Sequence, residues 1–300
     1  MSRIVVVGSS NIDLTARMES LPRPGETIGG ASILEAFGGK GANQAVSVGR
    51  LGGDVSFVTC VGGDSNGSRL IDSFRRDHID TSGIKTADGV QTGMALIFLD
   101  SRAENCIAVA PGANNRLLPE DIDALEGLIS DAEYLLIQLE IPEDTVLRSI
   151  EVARRHSVKV VLNPAPVRPL SDSLLSGLYL ITPNETEAER LTGVGIESEE
   201  DAARAARFLL AKGVENVIIT LGRRGAYVCS DEFCGTIPAR KVEAVDTTAA
   251  GDVFNGALVT ALSEGRSLVE AVRFASAASA ISVTRIGAQS SVPYRNEIVQ

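Results

Sequence analysis

The sequence predicts an α/β protein with an open, mostly parallel sheet and helices on both faces. Short runs of β-branched residues alternate along the chain with helical patterns, as in parallel βαβ units. The 300 residues suffice for one large α/β domain or two ordinary ones with a well-buried core. Neither an internal repeat nor a low-complexity linker interrupts the alternation.

Six apolar segments are predicted to be strands of this sheet. In chain order they are RIVVVGS, VSFVTCVG, YLLIQLE, KVVLNPAP, LYLITP and NVIITLG. Helices are predicted at 41–51, 64–77, 142–156 and 199–213, the last from the 3.6-residue period of DAARAARFLLAKG. Because ligands of such sheets bind beyond the carboxyl ends of the strands, polar residues at those ends are the first candidates for function.

Two segments, 17–39 and 91–113, break the alternation, because they have strand and hairpin patterns without helices. Two segments with strand patterns, inserted separately into an α/β chain, predict a small β-sheet lid. We expect the lid at 14–37 and 91–110, and the nucleotide- and substrate-binding α/β domain at 1–13, 38–90 and 111–300. A lid that excludes water suits phosphoryl transfer from a nucleotide, since water otherwise competes as the acceptor.

Composition and charge argue against several classes of function. A formal charge of −11 and a pI near 4.8 disfavour nucleic-acid binding, which needs clustered Lys and Arg. The apolar run near the start, IVVV, is too short for a signal segment or a membrane span, so we expect no membrane partner. The cysteines (Cys60, Cys106, Cys229 and Cys234) lack C-x-x-C spacing, and only two histidines are present, which disfavours a zinc site. We expect free thiols in a reducing, cytoplasmic compartment.

A glycine-rich stretch, EAFGGKGAN, superficially resembles a P-loop. Leu34 stands where the first glycine belongs and Gly41 where Ser or Thr would bind magnesium, so a Walker A motif is excluded. No G-x-G-x-x-G follows the first strand, which argues against a dinucleotide-binding oxidoreductase. The glycines can let the backbone approach a ligand while Lys40 and Asn43 donate to hydroxyl groups. A glycine turn that caps the next helix explains the stretch equally well.

Two further stretches each have a structural and a functional interpretation. In TPNETEAERL, Asn184 and Glu187 form a capping-box pattern, and such a pair can also orient Mg²⁺ waters and phosphates. In TLGRRGAYV, a plain hairpin turn competes with a nucleotide contact. The residues concerned there are Thr220, Gly222, Gly225 and Arg223, the last as a counter-charge.

The most specific pattern is AVDTTAAGD, followed at once by the helical pattern VFNGALVTALSEG. Small residues at a helix N-terminus expose N–H groups, and the helix dipole adds about half a positive charge there. Ala249, Ala250 and Gly251 would therefore stabilise a phosphoryl group in transfer. The same field should favour the ionised form of Asp252, which could accept a hydroxyl proton. Alternatively, Asp252 is simply a good first-turn residue.

Two carboxylates, Asp13 and Glu140, follow predicted strands at the ligand edge of the sheet. Carboxylates there can accept hydrogen bonds from a vicinal diol, as in many sugar sites. Either residue could instead cap a helix.

Nine stretches, in this order along the whole chain, resemble the PfkB carbohydrate kinase family, and within it the ribokinase group. They are GSSNID (8–13), PGET (24–27), GGKGANQA (38–45), QLE (138–140), NPAP (163–166), TPNETEAE (182–189), TLGRRG (220–225), DTTAAGDVFNGAL (246–258) and TRIGAQSSVP (284–293). The resemblance implies a ribokinase-like fold with a β-sheet lid. It also implies ATP-dependent phosphorylation of D-ribose at the 5-hydroxyl, giving D-ribose 5-phosphate, with Mg²⁺ and K⁺.

The resemblance also implies roles for the matching positions. Asp252 resembles the general base, and the N–H groups of Ala249, Ala250, Gly251 and Asp252 resemble an anion hole. Ribose contacts match Asn11, Asp13, Gly39, Lys40, Gly41, Asn43 and Glu140. Nucleotide contacts match Thr220, Gly222, Arg223, Gly225, Gly251 and Ser276, while Asn184 and Glu187 match the pair that organises phosphates and Mg²⁺, Glu187 through water. The K⁺ ligands match Asp246, Thr248, Ser282, Arg285, Gly287 and Ser291, several of them through backbone carbonyls.

Two positions depart from the family pattern. Ser276 stands where some relatives have His or Asn near the adenine, which leaves the nucleotide preference open. Thr248 replaces an aliphatic residue, a harmless change if its contact is a carbonyl. The resemblance further implies a homodimer through paired lids, in which Ala95 reaches the neighbour's sugar.

Other functions stay open at this point. Another PfkB kinase would act on deoxyribose, a nucleoside or a ketohexose, but the polar set around Lys40 favours a small polyol over a nucleoside. A non-catalytic sugar or nucleotide sensor would need neither Asp252 nor the small-residue turn before it.

Overall fold

The computed structural model describes residues 2–102 and 104–298 and contains two separate sheets. In the described residues the strands are β1 (Ile4–Val7), β2 (Asn11–Arg17), β3 (Ser32–Gly38), β4 (Val55–Gly62), β5 (Ile84–Ala87), β6 (Gly93–Leu99), β7 (Asn105–Ala110), β8 (Tyr134–Ile137), β9 (Lys159–Leu162), β10 (Leu180–Ile181), β11 (Asn216–Thr220), β12 (Ala226–Cys229) and β13 (Cys234–Ile237). The α-helices are α1 (Lys40–Arg50), α2 (Ser65–Arg76), α3 (Pro119–Ala124), α4 (Glu126–Ser130), α5 (Glu143–Arg155), α6 (Asp172–Leu175), α7 (Glu185–Thr192), α8 (Glu199–Ala211), α9 (Ala250–Ser263) and α10 (Leu268–Ser282).

The large sheet has nine strands in the order β13-β12-β11-β10-β9-β8-β1-β4-β5. All neighbouring pairs from β11 to β5 are parallel, whereas at the other edge β12 pairs antiparallel with both β11 and β13. The predicted mostly parallel sheet is confirmed. Each of the six predicted strand segments contains a strand, and the four predicted helices are found with ends within two residues of those expected.

Both faces of the large sheet are covered, as its apolar strands require. Ile4 and Val6 of β1 face a core with α1, α9 and α10, whereas Val5 and Val7 face a second core with α5 and α8. Because β1 lies between β8 and β4 and is parallel to both, the loop after Val7 emerges at the ligand edge, where the carboxyl ends of these strands meet.

The small sheet has four strands in the order β3-β2-β6-β7. β2 pairs antiparallel with β3 and parallel with β6, and β7 completes the sheet as an antiparallel edge strand. A separate small sheet from two excursions is therefore confirmed, while the domain boundaries remain a prediction. β2 continues directly from the loop after β1, and β3 leads into α1, so this sheet adjoins the ligand edge beside the end of β1.

The expectation of four free thiols is wrong for one pair. Cys229 and Cys234 form a disulfide with a Cα–Cα distance of 4.2 Å, while Cys60 and Cys106 are free. The two bonded residues stand directly opposite each other in the antiparallel β12–β13 ladder, which brings their side chains together. Among residues 2–102 and 104–298, no helix combines the length and apolar character that crossing a bilayer requires.

Candidate active site

Close backbone packing brings residues 8–11 and 38–44 together at the end of β1. Gly39 has φ +90°, and a Cβ there would lie 2.9 Å from the Cα of Ser10. A Cβ on Gly41 would lie 2.6 Å from the carbonyl carbon of Gly8. Both positions therefore require glycine, because only bare backbone lets the start of α1 approach β1 this closely.

The start of α9 lies beside this junction and has exposed donors. Ala249 adopts the left-handed conformation (φ 58°, ψ 10°) and turns the chain into the helix. The N–H of Ala250 donates to the Thr247 carbonyl at 3.2 Å. Within the described residues, the N–H groups of Gly251 and Asp252 have no acceptor, as is typical of a first helical turn. These two donors are available to an anion.

Asp252 is only 5% exposed and is held by two amides. Asn43 donates from Nδ2 to Oδ2 at 3.0 Å, and Gln44 donates from Nε2 to Oδ1 at 2.9 Å. Burial raises the pKa of Asp252, although the charge of Lys40 and the two amide donors act to lower it. The expectation that the helix field alone favours the ionised form is thus incomplete, because burial outweighs it. A buried carboxylate with a raised pKa is a better proton acceptor than an exposed one.

Two more carboxylates face the same space. Glu140 accepts hydrogen bonds at Oε2 from the Lys40 N–H at 3.0 Å and the Ser9 hydroxyl at 2.6 Å. Burial, with the nearby charges of Glu140 and Asp252, raises the pKa of Asp13 to about 6. Burial lowers the pKa of Lys40, but the surrounding carboxylates outweigh it and the pKa is raised. The cluster therefore has one cation among several acceptors, which suits a ligand with many hydroxyl groups.

Asn114 is a residue of this site that sequence reasoning missed. It is buried after β7, donates from Nδ2 to Oδ1 of Asn11 at 2.8 Å, and accepts at Oδ1 from the Ser10 N–H at 2.9 Å. It thereby orients Asn11, one of the predicted sugar contacts. Its only sequence signal was its place in PGANN, directly after the second predicted lid segment.

A cleft of about 740 Å³ adjoins the other side of the α9 N-terminus. All six predicted nucleotide contacts line it, together with Asn184 of the pair predicted to organise phosphates: Asn184, Thr220, Gly222, Arg223, Gly225, Gly251 and Ser276. The ends of β10 and β11 meet at a bridge between Asn184 and Thr220, which places the start of α7 at the cleft. Gly225 has φ +107°, and a Cβ there would lie 2.0 Å from the Ile237 carbonyl oxygen, so the turn after β11 depends on glycine.

Asn184 and Glu187 form the predicted capping box. Asn184 Oδ1 accepts from the Glu187 N–H, and Glu187 Oε2 accepts from the Asn184 N–H, both at 2.8 Å. Burial raises the pKa of Glu187, against the opposing charge of Lys40. In the part of the chain that the structure describes, no three His, Cys, Asp or Glu side chains could hold a metal ion together. A divalent cation here would draw most ligands from phosphates and water, which fits a single carboxylate.

Asp246 ties together the two loops that flank α9 and α10. Its Oδ1 accepts from the Thr248 N–H and its Oδ2 from the Gly287 N–H, both at 2.9 Å. Val245 also donates its N–H to the Val283 carbonyl at 2.7 Å. Burial raises the pKa of Asp246, but the hydrogen bonds from Thr248 and Gly287 outweigh it and the pKa is lowered. The side chain is therefore an ionised carboxylate that connects the turn before α9 with the loop after α10.

The other predicted K⁺ ligands belong to the same two loops. Ser282 ends α10, and Arg285 pairs with Glu297 through its side chain, so its carbonyl is the oxygen it can offer. Ser291 is buried in a 3₁₀ turn, where its hydroxyl donates to the Ala288 carbonyl at 2.8 Å. The residues present are oxygen donors, as an alkali cation needs.

Comparison with known proteins gives a consistent result. Residues 1–295 match the family described as pfkB family carbohydrate kinase. The chain is 47% identical to a ribokinase of Haemophilus influenzae over 99% of its length and 97% of that protein. It superposes on the crystal structure of a Thermotoga maritima ribokinase with a TM-score of 0.91 and 42% identity, covering 99% of this chain and 98% of that one. An Arabidopsis thaliana ribokinase complexed with ribose and ATP gives a TM-score of 0.90 and 32% identity, covering 99% and 97%. The chain belongs to the pfkB family of carbohydrate kinases.

Proposed function

We propose that this protein transfers the γ-phosphoryl group of ATP to the 5-hydroxyl of D-ribose, giving D-ribose 5-phosphate and ADP. The observation that carries the proposal is the position of Asp252. It is buried and held by Asn43 and Gln44, it shares its electrostatic field with Asp13 and Glu140, and the adjoining Gly251 lines the nucleotide cleft. The similarity to ribokinases, one of them solved with ribose and ATP, supports the choice of sugar.

The sugar side of the site has hydrogen-bonding capacity that the protein itself does not use. Asn43 Oδ1 is buried without a hydrogen-bond partner in the described residues, which is costly unless a ligand supplies a donor. Asp13 and Glu140 add carboxylate acceptors, and Lys40 adds a donor. A pentose presents hydroxyl groups that satisfy this set, whereas the flat aromatic face of a nucleoside base would meet charged groups instead of the apolar contacts it favours.

The proposed reaction takes place at the N-terminus of α9, between the sugar cluster on one side and the nucleotide cleft on the other. Ionised Asp252 accepts the proton of the 5-hydroxyl as its oxygen attacks the γ-phosphorus; the new O–P bond forms while the bond to the β-phosphate oxygen breaks. The free N–H groups of Gly251 and Asp252 stabilise the oxygens of the transferring group. Lys40 compensates the charge of the carboxylates around the sugar.

Two cations belong to this proposal. Mg²⁺, when bound with ATP, neutralises charge on the phosphates, and Asn184 with Glu187 would orient its water ligands. K⁺ would be held by Asp246, with further oxygens from Thr248, Ser282, Arg285, Gly287 and Ser291. The hydrogen bonds of Asp246 to both loops support this assignment. The cation would stabilise the turn that leads into α9.

We also propose a homodimer formed through the small sheet. Asp13, Ala95 and Val109 are paired across β2, β6 and β7, so their side chains share one face. Leu34 and Ile107 lie on the same face and are 46% and 54% exposed, although Ala95 is buried. Another lid would cover this apolar surface and close the sugar site. Ile107→Lys should give monomers and weaken ribose binding in sedimentation and kinetic assays, whereas Ile33→Lys on the opposite face should do neither.

A coupled assay that detects ADP, run on a panel of sugars and nucleosides with and without K⁺, tests the proposed function. Ribose should give the highest kcat/KM. Preference for deoxyribose, a nucleoside or a ketohexose would reassign the substrate within the family. Binding of ribose and ATP without turnover would instead favour the sensor. A cytoplasmic location remains part of the proposal, because ATP is the phosphoryl donor.

A further inference from the structure

Gln44 is a fully buried amide directly behind Asp252. Its Nε2 donates to Asp252 Oδ1 at 2.9 Å and to Asn163 Oδ1 at 3.0 Å, and its Oε1 accepts from Gln138 Nε2 at 2.6 Å. Both amide hydrogens and the carbonyl oxygen are therefore in use. Gln44 has no hydrogen left for a substrate, so any effect it has on the reaction acts through Asp252.

The orientation of this amide follows from its neighbours. A reversed Gln44 would direct its carbonyl oxygen at the carboxylate of Asp252 and at Asn163 Oδ1, leaving oxygen against oxygen at both contacts. Asn163 is itself oriented, because its Nδ2 donates to the Thr182 carbonyl at 3.3 Å. The direction shown is the one that stabilises an ionised carboxylate.

The buried polar chain continues to the anion-binding turn. Thr182 donates its hydroxyl hydrogen to Asn255 Oδ1 at 2.6 Å, and Asn255 Nδ2 donates to the Gly251 carbonyl at 2.8 Å. The side chains that follow β8, β9 and β10 are Gln138, Asn163 and Thr182. Hydrogen bonds through Gln44 connect them with the carboxylate of Asp252, and hydrogen bonds through Asn255 connect them with the backbone of Gly251. Such a shell fixes the geometry of a site within narrow limits.

We propose that Gln44 is a positioning residue that holds the carboxylate of Asp252 ionised and oriented toward the sugar hydroxyl. The inference rests on the proposed phosphorylation and assigns a residue on which that reaction depends without contacting substrate. Burial opposes the charge on Asp252, and Gln44 supplies one of the two neutral donors that offset it. The charged groups that also act on Asp252 are Lys40, Glu140, Asp13 and Glu187.

The test replaces Gln44 by methionine, which keeps the length and removes the donor. Relative to the wild type, Gln44→Met should lower kcat by about tenfold or more, while the KM values for ribose and ATP change less than about threefold. The acidic limb of the kcat/KM profile should move to higher pH, because loss of a donor to the ionised form raises the pKa of Asp252. Thr260→Val is the matched control: it removes a buried hydroxyl of α9, bonded to the Gly256 carbonyl at 2.8 Å, and should leave the profile unchanged.

Carboxyl ¹³C NMR titration of labelled aspartate, assigned with Asp252→Asn, gives a readout that needs no turnover. A higher pKa of Asp252 in Gln44→Met supports the proposal even if ribose is the wrong substrate. If Gln44→Met does not fold, Gln138→Leu removes the donor to Gln44 Oε1 and should move the same pKa upward by a smaller amount. An unchanged Asp252 pKa in the variant that folds, or lost activity with an unmoved acidic limb, overturns the assignment.

Discussion

The backbone of Gly41 packs so closely on that of Gly8 that a methyl group at position 41 would lie 2.6 Å from the Gly8 carbonyl carbon. The contact is between main-chain atoms, so no side chain can rotate away to relieve it. Gly251 is the opposite case, because a Cβ there would have no neighbour within 4 Å. Gly41 is therefore required by packing, whereas packing does not require Gly251, which fits the proposal that Gly251 contacts the transferring phosphoryl group.

Substitution by alanine should separate these purposes. Gly41→Ala should destabilise the protein by about 3 kcal/mol, since overpacking forces the backbone to shift. Gly251→Ala should leave the melting temperature unchanged but lower kcat, because its methyl group would enter the nucleotide cleft. Gly127→Ala, in α4 with open space around it, is the control and should be neutral or slightly stabilising. Thermal unfolding and turnover measured together decide the matter; a stable and fully active Gly251→Ala enzyme would contradict the placement of the phosphoryl group.

Loss of the base should affect chemistry far more than binding. Asp252→Asn keeps the shape of the side chain but cannot accept a proton as an anion, so kcat should fall by about 10²–10⁴. Ribose and ATP affinities, measured by calorimetry, should stay within a few-fold of the wild type. A variant with near-normal kcat would show that another group takes the proton.

How much of this site follows from the sequence depends on the range of the interaction involved. The position of Glu140 was predictable, because parallel strands end at one edge whatever the details of packing. Asp13 lies near the same edge, but it is held there by its pairing in β2 of the small sheet. The raised pKa of Asp252 could not be predicted. The effect of the helix dipole is local, but the burial of Asp252 depends on how α1 packs on α9. The positioning role of Gln44 could not be predicted, because a glutamine inside a helix has no evident function until its partner from a distant segment is known. The Cys229–Cys234 pair depended on hairpin register, which spacing alone does not reveal.

Ribose affinity should depend on the ionisation of Asp13. Burial, with the charges of Glu140 and Asp252, raises its pKa from 3.8 to about 6, so below pH 6 a proton occupies the group expected to accept sugar hydroxyls. The KM for ribose should rise as the pH falls from 7 to 5, and Asp13→Asn should flatten that dependence while weakening binding at neutral pH. An equal pH dependence in both proteins would exclude Asp13 from the sugar contacts.

The same pKa shift makes a prediction about stability. The folded-state pKa lies above the unfolded value, so the native state binds this proton more tightly than the unfolded chain. Asp13 therefore contributes stability at low pH that is lost as the pH rises from about 4 to about 6. Urea unfolding of Asp13→Asn beside the wild type isolates this contribution. The gain in stability from the substitution should be larger at pH 7 than at pH 4.

Potassium activation should depend on Asp246. Removing its carboxylate in Asp246→Ala frees the Thr248 and Gly287 N–H groups and removes the charged ligand, so activation by K⁺ should fall more than ribose affinity does. Thr248→Ala is the control for the carbonyl contact: it keeps the backbone carbonyl and N–H and loses only the side-chain hydrogen bond to Asp246, so it should respond to K⁺ far more like the wild type than Asp246→Ala does. Titration of kcat with KCl at constant ionic strength measures both. Unchanged activation in Asp246→Ala would place the cation elsewhere.

The Cys229–Cys234 bond should be detectable by counting thiols. Protein denatured without reductant should expose two thiols, from Cys60 and Cys106, and four after reduction. The bond closes a short hairpin, so the loop-entropy relation limits its contribution to about 2 kcal/mol, and Cys234→Ser should lose no more than that. Because β13 leads into Ala239–Lys241, which line the nucleotide cleft, the KM for ATP is a sensitive second measurement. Four thiols in unreduced protein isolated under alkylating conditions would mean that the pair stays reduced in its own compartment, where the β12–β13 ladder alone must hold this edge of the cleft.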